Sequence, residues 1–269
     1  MQVFLEGIGL RGPGLDGWIA GIEVLAGRAS YVPGPLVLPA SELLPATERR
    51  RTVPAVKLAL AVASEAFAQA GRDAAQTITT FSASGGDGET VPQILAALAR
   101  PEREISPTRF HNSVHNAPSG YWTIAVHSYE PATTLCGYDA SFTVGLLDAA
   151  AQVTVDRRAV ALIAYDLPYP EPLGAARPMT AGFGAALVLA PEETERTLAR
   201  LSVALAADAG PPTPMRDPAL EALRRGNPAA RSLPLLAALA RGREESVALE
   251  HIAGKCVTVD VQVLPRAPC

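Results

Sequence analysis

The residues with the most chemical potential gather around one turn. Gly137–Tyr138–Asp139 lies between a short strand candidate and a long helix candidate within residues 134–155. A sharp strand-to-helix elbow is where many enzymes aim a nucleophile, helped by the positive end of the helix. Here the elbow carries an acid, Asp139, with Cys136 three positions earlier. An Asp at this place reads as a helix N-cap, worth about 1 kcal/mol, or as a decarboxylating or proton-transfer group. Cys136 reads as a small buried hydrophobe or as a nucleophile. The second reading needs a basic neighbour or helix N-terminus to lower its pKa, and the sequence places no such group beside it.

The remaining polar clusters carry less. His111 and His115 are four apart and would share a helix face, but Asn112, Asn116 and Pro118 interrupt a regular helix. With no third ligand nearby, no metal is expected. His115 and Asn116 are pocket candidates, as is Tyr138 at the elbow; the alternative for the first two is a hydrogen-bonded network, with Asn112, that holds a loop in the core. The segment SASGGDGET (82–90) has three glycines but neither the lysine nor the spacing of a phosphate-binding loop. Arg49, Arg50 and Arg51 are either a phosphate patch or a solvated helix entry. No cofactor is implied.

The elements that must position these residues follow from periodicity. The run from Gln2 to Gly9 reads as a strand, and Leu15–Ala26 as a helix with Leu15, Trp18, Ile22 and Leu25 at helical spacing. Residues 31–45 hold four prolines and read as an extended loop, after which Thr47 can cap a segment leading to Pro54. Pro54–Ala70 is a helix stopped by Gly71. Gln76–Ser82 is a strand, and Thr90–Arg100 a helix with Val91, Ile94, Leu95 and Leu98 on one side. Thr90, Ile94 and Leu98 then form either a core stripe or an interface wall. The polar run after Ile105 reads as a loop, with a helix from Pro118. The helix after the elbow bears Asp148 and is otherwise apolar or small all round, which predicts burial within a large core. Ala159–Tyr165 is uncharged on both faces, as in the centre of a covered sheet. Beyond it come a short strand (182–189), a helical turn or two (192–200), a possible strand (201–207) and a proline-rich boundary (210–218). An interrupted amphipathic helix (219–241) and an edge strand (256–263) end the chain. Strands and helices alternating throughout predict an α/β fold.

Length and composition bound the class. The 269 residues, 48% hydrophobic, suffice for one large domain or two small ones. A net charge of −4 gives no electrostatic reason to expect nucleic acid. No run of about 18 uncharged apolar residues occurs and the N-terminus lacks a basic leader, so no membrane span and a cytoplasmic protein are expected. Three cysteines, Cys136, Cys256 and Cys269, are too few and odd in number for a disulfide framework.

Several segments, in order, resemble the N-terminal half of β-ketoacyl synthases, of the thiolase-like fold. VFLEGIGLRGPGLDGWIAGIEVLAGR is similar to the family's opening strand, turn and helix, and KLALAVASEAFAQAG to its next helix. SASGGDGET stands at its glycine pair, HNAPSGYWTIAV at its asparagine–alanine–glycine helix, and TTLCGYDASFTVGLLDAA over the nucleophile segment. AVALIAY and FGAALVLAP fit the following strands. The resemblance covers about residues 2–190 and implies a layered α/β/α architecture: residues 1–190 as the synthase-like half, and 191–269 as a shortened second half that completes or caps the same domain.

The departures carry the functional reading. Asp139 stands where the family has its nucleophilic cysteine, and a carboxylate is a poor acyl acceptor. The family's HGTGT-type histidine motif is absent, and His251 in EHIAGK only loosely echoes its second histidine segment. The resemblance therefore implies a non-catalytic chain-length-factor subunit, most similar to the short partners of aryl polyene ketosynthases. It would pair with a full ketosynthase through a continuous sheet, meet acyl carrier protein within that complex, and help shape an acyl tunnel. The family's tunnel-wall positions fall on Asp87, Thr90 and Ile94. On this reading a third account of Asp139 is drift at a position released from catalysis. Two other classes stay open: a stand-alone thiolase-fold acyltransferase or thioesterase using Asp139 or Cys136, and a purely structural assembly partner.

Overall fold

A computed structural model describes residues 1–206 and 210–264. The first unit runs β1 (Gln2–Arg11), α1 (Trp18–Leu25), α2 (Ala46–Arg49), α3 (Pro54–Ala70) and β2 (Ile78–Ser82). Then come α4 (Thr90–Leu98), α5 (Pro107–Asn112), α6 (Ala117–Val126), β3 (Ala132–Leu135) and α7 (Ser141–Asp156). The chain continues through β4 (Val160–Asp166), α8 (Leu173–Ala176), β5 (Phe183–Ala190) and β6 (Ala199–Ala206). It closes with α9 (Pro218–Gly226), α10 (Leu233–Arg241), β7 (Glu245–Glu250) and β8 (Cys256–Val263). Among the described residues, eight strands join one sheet in the order β3-β2-β4-β5-β1-β6-β8-β7.

Two apolar layers hold this sheet. β4 and β5 are buried along their whole length, as their uncharged sequences require. One face packs on α3 and α6, through Val56, Leu60, Phe67 and Trp122. The other packs on α1, α7, α9 and α10, through Phe142, Leu146, Leu235 and Leu236. α3 lies so close to β1 that a Cβ at Gly7 would stand 2.1 Å from the Ala66 carbonyl oxygen, and one at Gly9 1.9 Å from that of Val62. Glycine is obligatory where a helix backbone rides directly on a strand. Beyond Leu5, where β1 leaves β6, α3 supplies the missing acceptors. Gln69 accepts from Ile8 N at 2.7 Å and Glu65 from Leu10 N at 2.9 Å.

The strands β6, β8 and β7 are covered on one face only. Leu201, Val203, Val257, Val259 and Val247 point into the core, while Ser202, Ala204, Ser246 and Asp260 are exposed on the other side. Alternation of this kind belongs to a sheet with one solvated face. No helix among the described residues is long and apolar enough to cross a membrane.

Several sequence expectations change. The first helix starts at Trp18, because Leu15 closes a turn with Gly12. Thr47 is not a cap: Pro45 precedes α2, with no side-chain cap. The polar run before Pro118 contains the short helix α5. No helix forms over 192–200; Thr197 instead ties a turn with Thr194, and Ala199 and Arg200 already pair with β1. β8 is interior, because β7, whose VALE core gave only a short period-two signal, takes the edge. Ala207 of the expected strand, and Cys269, lie outside the described residues.

Candidate functional site at the elbow

β3 leads into Gly137, a single 3-10 turn over Tyr138–Ala140, and then α7. Tyr138 has φ +55°, a left-handed conformation that costs a non-glycine residue about 1 kcal/mol or more. Ser141 holds the turn shut: its hydroxyl donates to the Tyr138 carbonyl at 2.7 Å and accepts from Gly137 N at 3.1 Å. The residue this elbow projects is Asp139.

Asp139 does not cap α7. Its neighbour Ala140 holds the N-cap position, without a side-chain bond. The carboxylate faces two guanidinium groups instead, Arg177 Nη2 on Oδ1 at 2.6 Å and Arg231 Nη2 on Oδ2 at 3.0 Å. Arg177 follows α8, and its guanidinium also stacks 3.6 Å from the centre of the Tyr138 ring. Arg231 is buried in the turn before α10 and pairs with Glu250 at the end of β7. Asn227 fixes that turn. Its Nδ2 donates to the carbonyls of Ala181 (2.8 Å) and Asp166 (3.1 Å), and its Oδ1 accepts from Ala230 N. The elbow is thus clamped by one cation from the first half, Arg177, and one from the second, Arg231. A carboxylate engaged by two guanidinium groups is poorly arranged for attack on an acyl group.

Behind the elbow, Asp166 ends β4 with a fully buried carboxyl. Ser84 donates to its Oδ1 from both N (2.8 Å) and Oγ (2.6 Å), and Oδ2 has no hydrogen-bond partner. Burial pushes its pKa up to about 7, against the lowering pull of Ser84 and Arg177. His251 follows β7 and places Nδ1 2.9 Å from Thr143 Oγ1 in the first turn of α7. Burial first, then the Lys255 ammonium, lower its pKa.

The structure distributes the other sequence candidates unevenly. Cys136 is exposed rather than buried, because β3 is an edge strand, and its thiol donates to the Ser84 carbonyl at 3.2 Å. Asp87 is buried and accepts from Thr90 N at 3.0 Å and from the Thr90 hydroxyl, so those two act as one unit at the start of α4. Ile94 is half-buried, while Val91, Leu95 and Leu98 are exposed. That stripe is not core of this chain. The network expected of Asn112, His115 and Asn116 is reduced to one member: Asn112 donates to the Arg51 carbonyl at 2.8 Å. Asn116 is exposed and His115 Nε2 has no partner. Tyr138 joins the elbow, away from these two.

Sequence reasoning missed Arg177, Arg231, Asp166 and Asn227. Two of them left a signal. Arg231 is a lone charge in the stretch NPAARSLPLL, and Asp166 ends a strand with no other charged residue; both positions demand a partner.

Comparisons with known proteins agree with this architecture. Three solved structures superpose along nearly the whole chain. A ketosynthase in complex with its chain length factor from Xenorhabdus doucetiae is 19% identical at TM-score 0.72, covering 97% of this chain and 99% of the other. The ishigamide ketosynthase/chain length factor is 16% identical at TM-score 0.72, over 98% and 100%. A β-ketoacyl synthase from Burkholderia phymatum STM815 is 10% identical at TM-score 0.71, over 98% and 100%. At such identities the likeness shows the fold, a thiolase-like layered α/β/α arrangement. No curated protein matches the sequence. The family model described as β-ketoacyl synthase, N-terminal domain, matches residues 26–248, and this chain therefore belongs to that family.

Proposed function

We propose that the chain is a non-catalytic chain-length-factor subunit that pairs with a full β-ketoacyl-ACP synthase in aryl polyene or related polyketide biosynthesis. The clamped Asp139 carries this reading: the elbow geometry is kept, but its side chain is neutralised by Arg177 and Arg231 rather than freed for chemistry. The family's nucleophile would need a thiolate there. The complexes named for two of the similar folds support the same assignment, and acyl carrier protein would be met through the partner.

The sheet edges indicate where a partner would dock. On β7 the outer edge is blocked, because Thr213 N donates to the Ala248 carbonyl at 2.8 Å and its hydroxyl accepts from Ala248 N at 2.9 Å. β3, at the opposite edge, pairs only with β2. Beside it α7 is not buried all round. Asp148 is answered by Thr80 and Gln152, but Val144, Leu147 and Ala151 are half-buried and Val155 is 78% exposed. An open strand edge next to an apolar stripe is a site for strand addition, which would continue the sheet into the partner. The exposed Val91, Leu95 and Leu98 of α4 supply a second apolar face.

On this reading Asp87, Thr90 and Ile94 belong to the acyl tunnel wall, residues 1–190 are the synthase-like half, and 191–269 complete the same domain from the cytoplasmic protein's shortened second half. Co-expression with the ketosynthase encoded beside it tests the assignment. A stable complex that Val155→Arg abolishes is expected, with an isolated chain inert toward acyl thioesters. Turnover by the isolated chain that disappears in Asp139→Asn or Cys136→Ser would instead establish an enzyme. A complex whose product length ignores Thr90→Phe and Ile94→Phe would leave a purely structural partner.

A further inference from the structure

A cavity of about 270 Å³ lies between the glycine loop after β2 and the segment after β4. Its apolar walls are Pro54 and Ala55 at the start of α3, with Leu167 and Pro168. Its charged residues are Asp87, Glu89 and Asp166, and no basic side chain lines it among the described residues. An anionic ligand would meet only repulsion there. Asp87 already accepts from Thr90, and Asp166 accepts from Ser84 through Oδ1, so these two carboxyl groups are engaged in holding the wall, while Glu89 is an exposed residue at the rim. Between them the lining offers apolar surface and neutral backbone.

Tyr169 closes this space. Its ring lies across the glycine loop so tightly that a Cβ at Gly85 would stand 2.1 Å from its hydroxyl oxygen, and one at Gly88 2.3 Å from Cδ1. Neither glycine has a positive φ, so their bareness answers to the ring and not to a turn. The ring's own segment is pinned at both ends. Asn227 holds the Asp166 carbonyl, and Gly174 N donates to the Pro170 carbonyl at 2.9 Å. A large flat side chain resting on a side-chain-free floor, at the wall of a chamber that no basic side chain lines among the described residues, is a volume gauge.

We propose that Tyr169 is the end stop of this chamber and sets how much neutral hydrocarbon chain it admits. The inference rests on the chain-length-factor reading and names a specificity-determining residue on β4's trailing segment, outside the α4 wall. It predicts opposite effects for two substitutions. Removing the ring (Tyr169→Ala) lengthens the main product of the co-expressed complex by at least one two-carbon unit. Placing a methyl group under the ring (Gly88→Ala) drives it into the chamber and shortens the product by as much. Tyr169→Phe keeps the ring and leaves the length distribution unchanged.

The measurement is mass spectrometry of the acyl products released from the purified complex, with co-purification and thermal melting of each variant as controls. A mere loss of stability lowers yield in both variants without moving length in opposite directions. Intact complexes of Tyr169→Ala and Gly88→Ala with wild-type product lengths would overturn the end-stop role while leaving the functional reading in place. If the wild-type chain bound no ketosynthase, the functional reading itself would fall.

Discussion

Asp139→Ala removes the carboxylate from between Arg177 and Arg231 and leaves both guanidinium groups facing an empty elbow. The two arginine side chains are 16% and 10% exposed, whereas Asp139 is 38% exposed. A hydrogen bond to a charged group contributes about 1.5–3 kcal/mol. The solvent reaching Asp139 argues for the low end for the Arg177 hydrogen bond, and the Arg231 ion pair at 3.0 Å adds about 0.5 kcal/mol at this exposure, about 2 kcal/mol together. Arg231 keeps Glu250, so the larger part of the loss belongs to Arg177. At ~2 °C per kcal/mol for a domain of this size, Tm should fall by about 4 °C. A thermal melt of the isolated chain, with a double-mutant cycle through Arg177→Met, measures it. The single losses should exceed additivity by about 1 kcal/mol or more. A Tm within 1 °C of wild type, or strictly additive effects, would refute the clamp. So would loss of an acyl-thioester activity in Asp139→Asn, since a clamped carboxylate has no turnover to lose.

Three further outcomes follow from the same geometry. Asp166 carries a folded-state pKa raised to about 7 from an ordinary 3.8, so the folded chain holds a proton that the unfolded chain releases. Stability is then undiminished below about pH 4 and declines as pH rises toward 7. Asp166→Asn, which keeps an acceptor for Ser84, should be no more stable at pH 4 and more stable at pH 8, by up to about 4 kcal/mol; urea titrations at the two pH values check the sign. Cys136 is exposed whereas Cys256 is buried with its thiol pKa raised by burial and then by Glu250; peptide mapping after brief alkylation of the native chain should find Cys136 modified and Cys256 untouched. Gly9→Ala sets a methyl group against the Val62 carbonyl at 1.9 Å; overpacking a strand against a helix backbone should cost about 3 kcal/mol or abolish soluble expression, and a wild-type melt would contradict the close approach.

Much of the fold was legible because it is written locally. α3 begins at its proline and ends at Gly71 as the capping signals require. β4 lies in the buried centre of the sheet, as its uncharged run implied, and β5 forms where a short strand was expected. The elbow, too, could be seen in the chain as a strand, a turn and a helix. The edge assignments failed because pairing order is not local: β8 has the alternation of an edge strand, yet β6 and β7 flank it. The cap reading of Asp139, one of those the sequence left open, fails for the same reason, since residues 38 and 92 positions away supply its partners. Cys136 looked buried because cysteine usually is, and only its place just past the end of the outermost strand exposes it.

From the sequence alone came the alternation of elements, the resemblance to ketosynthases, and the absence of a cysteine at the position where the elbow aims a side chain. Those depend on residue type and spacing, which the chain carries in itself. The tertiary structure decided what that position became. Arg177 and Arg231 reach Asp139 from a surface crossing and from the turn before α10, and they meet only after the second part of the chain has folded against the first. Which strand edge stays open, which apolar stripe stays uncovered and which ring lies over the glycine loop are likewise consequences of packing. Contacts between distant residues depend on the path of the whole chain, and no local pattern encodes that path.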